Sequence, residues 1–459
     1  MKKEILYSDD LKNNLLSGEF EFSDAKFNID ISTIIHTSEI SHTEITFKNC
    51  EFNNYEITFS DFKDMQEIKH IRLNFNNCTF NNEIRFYNTN NYTIFINNSK
   101  LKKIILYKTD EIDIIISNNS NIEILQIDEV KKINELKINN SKINKLYFTN
   151  VNISNKFIIF ENEINQIDFI RFNSNCEFDF IDNKILTKTE FSECNFDKIS
   201  FKKNKFIGKL AFYKIEFNKS TVIDIDCKSN AYFNACKFNK YTHFDNSKFK
   251  NLEMNYCKFN EFTSLQNVEC ECIKLNKVTF ENLAFFDDIK IIKLNECDRK
   301  TIRTIKQQLL KTDNKIDYNI FRSAELKAHY NKLKKENKKW YNNQNAFILM
   351  FGKCYSNFGI NWVRPVKLTI IFSFLFYSIF FWVEYNKFDI GNFSLETNNL
   401  KTFFSGYLKF LIPTNLYNPL KNEKIYVDNF SWFPFILGKI IIAIGIYEII
   451  TAFRKYKKQ

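Results

Sequence analysis

Large apolar residues recur at every fifth position between Ile133 and Ile158, and this spacing limits the possible folds more than any other feature. Most of them have a second apolar or small residue two places upstream. The main series is Ile133, Ile138, Ile143, Phe148, Ile153 and Ile158, and the upstream series is Leu136, Ser141, Leu146 and Val151. A helix repeats about every 3.6 residues and a strand about every two, so this period fits neither. A short fixed repeat of this length indicates a solenoid, in which each unit is stable only against its neighbours.

The same five-residue spacing recurs in separate blocks on both sides of this stretch. The blocks comprise Phe47, Phe52, Ile57 and Phe62; Phe75 and Phe80; Phe191, Phe196, Phe201 and Phe206; Phe212 and Phe217; Phe233 and Phe238; Phe249, Met254 and Phe259; and Leu275, Phe280 and Phe285. Between blocks the register slips by about one residue, which a bulge or a corner would absorb. We therefore expect one repeat domain over residues 20–297, preceded by an N-terminal cap over residues 1–19.

Two segments carry the repeat most clearly, Lys-Asn-Cys-Glu-Phe-Asn at 48–53 and Asn-Ala-Cys-Lys-Phe-Asn at 234–239. They resemble the pentapeptide-repeat family, in which the central residue is Leu or Phe and the residue two places before it is small. The resemblance covers roughly residues 20–290 and is weakest over residues 90–129. It implies a right-handed, four-sided β-helix (a quadrilateral β-solenoid). About 270 residues at about 20 per coil then give roughly 13 coils, stacked about 4.8 Å apart.

The resemblance also implies that every fifth side chain points inward and stacks in a column along the rod. The expected members of this repeat core are Phe47, Phe52, Ile133, Ile138, Ile143, Phe148, Phe191, Phe196, Phe233 and Phe238. The second inward position lies near a corner, where Cys, Ser, Ala or a branched aliphatic residue fits. The three remaining positions of each unit face water, which accounts for the many Asn and Lys residues between the apolar ones.

The 459-residue chain has a formal net charge of +11, 11 cysteines and five histidines. Most cysteines occupy inward positions of the repeat, which predicts small buried thiols in a reducing compartment. The pair Cys270 and Cys272 has no second pair at zinc spacing, so we expect no metal or other cofactor. The many lysines of the repeat domain argue against mimicry of DNA, which requires an acidic rod. We also expect no nucleic acid as a partner.

The sequence also lacks the short motifs of common enzymes. It contains no glycine-rich phosphate loop, no Gly-x-Ser-x-Gly and no His-Glu-x-x-His, so we expect a protein that is not an enzyme. The N-terminal Met-Lys-Lys-Glu-Ile-Leu has no apolar run behind its lysines. This predicts that no signal peptide is present and that the repeat domain stays in the cytoplasm.

The period changes to that of a helix after residue 297. Ile302, Ile305 and Leu309 recur at helical spacing, and a second lysine-rich run follows from about Asp317 to Trp340. This predicts a basic helical hairpin over residues 298–345. Its lysines lie close to the apolar segments described next, where they could contact anionic lipid headgroups.

Two long apolar runs dominate residues 346–459 and predict a membrane domain with helices near 366–384 and 432–453. Basic and aromatic residues at one end of this pair suit the membrane interface: Trp362, Arg364, Lys367 and Arg454. Since cytoplasmic loops carry the excess of Lys and Arg, both termini are expected in the cytoplasm and residues 384–429 outside.

The pentapeptide-repeat resemblance extends into this region. Many bacterial members are similar in a turn and in a C-terminal tail, which this chain matches at Ser356, Asn357, Gly359, Trp362, Arg364 and Pro365, and at Tyr447, Ile450, Ala452, Phe453, Arg454 and Lys455. The resemblance implies a multi-pass protein of the bacterial inner membrane, and it carries no assigned activity.

Charged residues within membrane helices are candidates for function, which singles out Lys439 and Glu448. Glu448 is expected at a depth similar to that of Lys367, and Lys439 is expected to be within reach of Glu384. Salt bridges that pair the helices, or snorkelling of the charges, are favoured over ion coordination.

The apolar-rich segment from Leu400 to Pro413 is too short to span a bilayer, so it either re-enters the membrane or lies on it. Helix, re-entrant segment and helix is the plan of two-helix tetrameric cation channels, and it would place Tyr407 and Thr414 near a pore. The Thr-Val-Gly-Tyr-Gly filter of such channels is absent. An amphipathic helix lying on the bilayer is the favoured alternative.

Two functions remain open at this point. The first is a membrane-anchored scaffold whose rod binds a protein partner. The second is a homo-oligomeric ion channel or membrane-permeabilising effector, with the rod as a sensor or assembly platform. Two helices cannot enclose a pore alone, so a strict monomer would exclude the second function.

Overall fold

The computed structural model describes residues 4–18, 20–29, 33–36, 43–60, 70–336, 344–387, 397–420 and 430–454. The chain forms two compact units, a solenoid unit over residues 1–304 and a helical unit over residues 305–459. Phe62, expected in the five-residue series, lies outside the described residues.

The solenoid unit begins with strand β1 and a helix. Helix α1 (Ser8–Ser17) buries Leu11 and Leu15, and it ends at Gly18, whose φ of 102° suits a residue without Cβ. The following strands are parallel and stack into a β-solenoid of about 13 turns. The β-solenoid followed by helices, expected from the period of five, is thereby confirmed.

The strands of the first half are β1 (Glu4–Tyr7), β2 (Glu21–Ser23), β3 (Ala25–Ile29), β4 (Thr33–His36), β5 (Glu44–Lys48), β6 (Glu51–Asn54), β7 (Ile57–Ser60), β8 (Ile71–Asn76), β9 (Thr79–Tyr87), β10 (Tyr92–Asn97), β11 (Lys100–Tyr107), β12 (Glu111–Ser117), β13 (Asn121–Asp128), β14 (Lys132–Asn139), β15 (Lys142–Thr149) and β16 (Asn152–Phe160). Those of the second half are β17 (Glu163–Ile170), β18 (Asn173–Ile181), β19 (Lys184–Ser192), β20 (Asn195–Phe206), β21 (Lys209–Tyr213), β22 (Glu216–Phe217), β23 (Thr221–Asn234), β24 (Lys237–Phe238), β25 (Thr242–His243), β26 (Lys248–Asn255), β27 (Lys258–Phe259), β28 (Thr263–Ser264), β29 (Glu269–Asn276), β30 (Thr279–Phe280), β31 (Ala284–Phe285) and β32 (Lys290–Ile291).

Each turn of the solenoid is 21 residues long over most of its length, one more than the expected 20. Lys142 of β15 pairs with Glu163 of β17, which pairs with Lys184 of β19. The corners contain residues with positive φ, a conformation that Asn tolerates better than most residues with a side chain. One such series is Asn98, Asn119, Asn140, Glu161, Asp182 and Lys203. Asparagine thus makes many of the turns for which other chains use glycine, and this chain has only 8 glycines.

The extra residue per turn also shifts the core register within the central stretch. Ile153 is buried, but the next buried residues are Phe157 and Ile159, and Ile158 between them is only half-buried. The pairing of β14 with β16 changes register at this point, between Ile133 and Glu135. The expectation that Ile158 continues the inward series is therefore wrong, because a bulge moves the core position by one residue.

The interior of the rod is filled by stacked side chains. The ten residues expected in the repeat core are all buried, with at most 4% of each side chain exposed. Rings from consecutive turns lie on one another: the centroids of Phe157 and Phe178 are 3.8 Å apart with planes at 8°, and those of Phe52 and Phe80 are 4.1 Å apart. The rings therefore stack along the rod axis in the same order as the strands that carry them. Each turn covers the apolar side chains of the next turn.

A ladder of asparagines runs through one buried corner of the rod. The backbone N–H of Asn162 donates to Oδ1 of Asn183 at 2.9 Å, and that of Asn183 donates to Oδ1 of Asn204 at 2.9 Å. The side-chain amide of Asn183 donates in turn to the carbonyl oxygen of Ile159 at 2.7 Å. Each asparagine therefore satisfies backbone groups that the corner leaves unpaired. The ladder was not expected from the sequence, because the asparagines between the apolar residues were predicted to face water.

We expect Asn183→Leu to lower the free energy of unfolding by about 1–2 kcal/mol, since it leaves a buried N–H and a buried carbonyl without partners. Hydrogen exchange of the amides around residues 159–183 should accelerate. Asn165→Leu is the matched control, because the Asn165 side chain donates a hydrogen bond to Asn144 on the exposed surface rather than to a buried backbone group. Equal effects of the two substitutions would contradict a structural role for the ladder.

The residues that the structure describes contain six further α-helices: α2 (Arg299–Lys311), α3 (Lys315–Glu336), α4 (Gln344–Ser356), α5 (Val363–Lys387), α6 (Thr397–Leu411) and α7 (Trp432–Arg454). Lys306 of α2 pairs with Glu325 of α3 at 2.6 Å. Two stretches are long and apolar enough to cross a membrane, Val363–Glu384 and Trp432–Phe453, each with a mean hydropathy of 2.0. Helix α4 was not expected, because its run of apolar residues does not continue the hairpin pattern before it.

Candidate functional site

Helices α5 and α7 pack closely in the helical unit because glycine removes side chains from their contact. A Cβ added to Gly445 of α7 would lie 1.9 Å from Oγ1 of Thr369 on α5. A Cβ added to Gly438 would lie 2.4 Å from Cζ of Phe410 on α6. Small residues at such positions are typical of helices that associate in membranes, where close backbone approach drives packing.

Helix α6 contacts α5 through aromatic side chains and hydrogen bonds. Phe403 and Phe410 are seven residues apart on α6, yet both rings contact the ring of Tyr377, with centroids 5.1 and 5.4 Å from it. The Tyr377 hydroxyl donates to the carbonyl oxygen of Phe403 at 2.9 Å. The Tyr407 hydroxyl donates to the carbonyl oxygen of Ile370 at 3.1 Å. Measured along α5, Tyr377 lies about 10 Å from Glu384, where the apolar stretch ends. Helix α6 therefore packs against the apolar part of α5 rather than beyond its end.

Lys439 is a buried charged residue of α7, and it contacts the C-terminal end of α6. Its Nζ donates to the carbonyl oxygens of Phe410 at 2.7 Å and of Ile412 at 2.6 Å. It also lies 5.0 Å from the Phe410 ring centroid and 5.3 Å from that of Phe435, and only 8% of the residue is exposed. The last carbonyls of a helix lack intrahelical partners and carry its negative dipole end. The ammonium of Lys439 therefore caps α6.

The expected contact between Lys439 and Glu384 is not formed. Glu384 is buried and accepts a hydrogen bond from Nδ2 of Asn418 at 3.1 Å. Oδ1 of Asn418 accepts from the backbone N–H of Leu420 at 3.0 Å, which fixes the orientation of the amide. The second oxygen of Glu384 has no partner among the described residues. The prediction was wrong because the backbone carbonyls of α6, which the sequence could not place, lie nearer to Lys439.

Glu448 stabilises the connection between α4 and α5. Its carboxylate accepts from the hydroxyl of Ser356 at 2.5 Å, and the same hydroxyl oxygen accepts from the N–H of Gly359 at 2.8 Å. Asn357, Phe358 and Gly359 all have positive φ, with values of 51°, 59° and 86°. The carboxylate therefore stabilises a turn made of three consecutive residues with left-handed backbone conformation. Ser356 links the carboxylate to this turn, and Gly359 is one of the three residues.

The remaining predicted residues lie at the ends of the apolar helices. Arg364 and Lys367 are exposed near the start of α5, and the ring of Trp362 lies 5.4 Å from that of Phe453 near the end of α7. Helix α7 ends at Arg454, whose side chain is outside the description. We call this the basic end of the helix pair. The two predicted pore residues separate: Tyr407 is half-buried and hydrogen-bonded to α5, whereas Thr414 is exposed after α6.

The cysteines divide into inert and accessible thiols. Eight of the eleven are buried, Cys176 and Cys272 are half-buried, and Cys354 on α4 is exposed. Burial raises the pKa of Cys227 to about 11 and that of Cys194 to about 12, so little thiolate forms there at neutral pH.

Cys354 is therefore expected to react with a thiol reagent before the other ten cysteines. Treatment of the folded chain with iodoacetamide, followed by mass spectrometry, should show one rapidly modified site per chain at Cys354. Denaturant should release the rest. Rapid labelling of Cys194 or Cys227 in the folded protein would contradict their burial in the rod.

The surface of the rod carries charges of both signs that pair between consecutive turns. Lysines pair with glutamates one turn earlier: Lys184 with Glu163 at 2.9 Å, Lys237 with Glu216 at 2.7 Å and Lys274 with Glu253 at 2.8 Å. These hydrogen bonds lower the pKa of each of the three carboxyl groups. Each exposed pair contributes little to stability, but together they give the rod a surface of mixed charge.

No known family profile matches the chain, and no curated protein and no solved structure shows significant similarity to it.

Proposed function

We propose that the protein is a membrane-anchored scaffold of the pentapeptide-repeat type. In this proposal α5 and α7 span the bacterial inner membrane, and the solenoid binds a protein partner in the cytoplasm. The repeat type is supported by Cys50 with Phe52 and by Cys236 with Phe238, since all four residues are buried as the repeat requires. Anchoring is supported by two apolar stretches of 22 residues each, enough to cross a bilayer.

One observation carries the choice of an anchor over a transport pathway: the two charged residues within the span Trp432–Phe453 have partners in the same chain. Lys439 is held by the carbonyls of Phe410 and Ile412, and Glu448 by the hydroxyl of Ser356. Charges that move ions must exchange their partners with ions or water. Here the same charges join helices to one another and fix the membrane unit.

The orientation follows from the basic end. Arg364 and Lys367 are exposed there, and the sequence continues after Arg454 with further lysines. Because positively charged residues stay on the cytoplasmic side, this end faces the cytoplasm and both termini lie there. Residues 388–429 then connect the spans on the outer side.

The role of the rod is to present a rigid surface. Its interior is filled with stacked side chains, so a partner can contact it only through residues on its outside, and we propose a binding surface rather than an enzyme. The surface has mixed charge, which favours a protein partner over nucleic acid.

A photo-cross-linking amino acid at selected positions tests this proposal in cells. Tyr256 is 56% exposed on the rod, and Trp382 is exposed on α5. We expect a discrete adduct with a different protein at Tyr256 and adducts only with lipid at Trp382. Release of the chain by alkaline carbonate would contradict anchoring, and adducts only with a second copy of the chain would contradict a partner protein.

A second candidate function, a homo-oligomeric channel, is favoured by one observation. The C-terminal end of α6 points at a cation inside the apolar helix pair, which is how short helices stabilise permeant cations in channels. In this structure the cation is Lys439. The scaffold proposal predicts no ion flux from liposomes that contain the purified chain. If a symmetric oligomer conducted ions and Lys439→Met changed that conductance, the channel would be the correct function and the scaffold proposal would be wrong.

A further inference from the structure

Helix α4 has an exposed apolar face. Phe347, Ile348 and Phe351 are 47%, 67% and 37% exposed. Residues three and four positions apart lie on one side of a helix, so these side chains form a continuous stripe. Large apolar side chains grouped in this way mark a surface that contacts something other than water.

The opposite side of α4 is fixed by packing. Ala346, Tyr355 and Ser356 are buried, and α4 contacts α3, α5 and α7. The hydroxyl of Ser356 bonds to Glu448 on α7 at 2.5 Å. The helix is therefore held in one orientation, with its apolar stripe turned away from the helices that it contacts.

The position of α4 in the helical unit identifies the chemistry of the surface that covers this stripe. The turn after Ser356 leads directly into α5 at the basic end, beside Arg364 and Lys367. Lys353 on α4 is exposed as well, and its Nζ lies 5.0 Å from the ring centroid of Tyr330. An apolar stripe bordered by cations, at the end of two apolar spans, is complementary to an anionic lipid leaflet.

We infer that α4 is an interfacial helix whose apolar stripe inserts into the acyl region of the leaflet at the basic end. Its 13 residues extend about 20 Å, which is too short to span a bilayer but suits a helix lying in the membrane plane. Lys353, Arg364 and Lys367 contact the phosphate groups of anionic lipids around it. This inference rests on the proposed anchoring by α5 and α7.

Quenching by brominated lipids tests the inference with the full-length chain. Ile348→Cys in a Cys354→Ser background is labelled with bimane and reconstituted into vesicles of brominated phosphatidylcholine and phosphatidylglycerol. Ile371→Cys, exposed on α5, serves as the membrane reference, and Tyr256→Cys on the rod as the aqueous reference. We expect quenching at 348 to lie within about twofold of that at 371, and none at 256.

The outcomes separate the inference from the proposed function. No quenching at 348 with normal quenching at 371 would overturn the interfacial helix while leaving the anchor intact, and protection of 348 from aqueous iodide would then assign the stripe to a protein surface. No quenching at either position would overturn the membrane anchor itself. Equal quenching at 348 in vesicles of phosphatidylcholine alone would contradict the contacts with anionic headgroups.

Discussion

Phe178→Ala is expected to lower the free energy of unfolding of the solenoid by about 3–5 kcal/mol. Phe178 is fully buried, and its ring lies 3.8 Å from that of Phe157 in the preceding turn and 5.9 Å from that of Phe196 in the following one. The substitution removes a ring from the middle of the column and leaves a cavity that strands on all sides of the rod cannot close. Chemical denaturation of the full-length chain in detergent, followed by circular dichroism in the β region, measures the change.

The effect should also be local along the rod. Because each turn of a solenoid contacts only its neighbours, hydrogen exchange should accelerate most in the turns that contain Phe157 and Phe196. Tyr256→Ala is the matched control, since it removes an aromatic side chain that is mostly exposed on the same rod. Its expected cost is within about 0.5 kcal/mol. Similar costs for the two substitutions would contradict the packed column.

Lys439→Met is expected to lower the stability of the helical unit by about 2–3 kcal/mol. The substitution keeps the length of the side chain but leaves the carbonyl oxygens of Phe410 and Ile412 without the donor that pairs them. No water replaces the ammonium in an apolar surrounding, so the end of α6 loses its cap. The midpoint of thermal unfolding in detergent should fall, and hydrogen exchange over α6 should rise.

Lys401→Met provides the control on the same helix, because Lys401 is exposed and lies far from the C-terminal end of α6. We expect the unfolding midpoint of the Lys401→Met variant to equal that of the unaltered chain within error. If Lys439→Met were as stable as the unaltered chain, Lys439 would not cap α6, and the case for an internally paired anchor would fail.

The solenoid could be predicted from the sequence because its rule is short-range. A period of five places large residues such as Phe148 inside every turn, whichever residues lie elsewhere in the chain. The 21-residue turn and the half-buried Ile158 could not be predicted, because bulges depend on how neighbouring turns stack. The ladder through Asn183 could not be predicted for a related reason: the sequence does not distinguish an asparagine that faces inward from one that faces water.

The helical unit was less accessible to sequence analysis. Hydropathy alone indicates α5 and α7, since length and apolar composition determine a membrane span. The partner of Lys439 is a pair of backbone carbonyls on α6, and backbone carbonyls leave no trace in the residue types. Helix α4 was missed because its apolar stripe is exposed rather than packed against a neighbouring helix of the described residues, so it does not form the seam that marks a helical hairpin.

The distance between spin labels on the same face of the rod tests the stacked solenoid most directly. Lys100 and Lys205 occupy equivalent positions five turns apart, linked through Asn121, Lys142, Glu163 and Lys184. With nitroxides at Lys100→Cys and Lys205→Cys, in a Cys354→Ser background, pulsed electron resonance should give a narrow distribution near 24 Å, from about 4.8 Å per turn. A broad distribution, or one centred beyond about 40 Å, would contradict a rod of stacked turns.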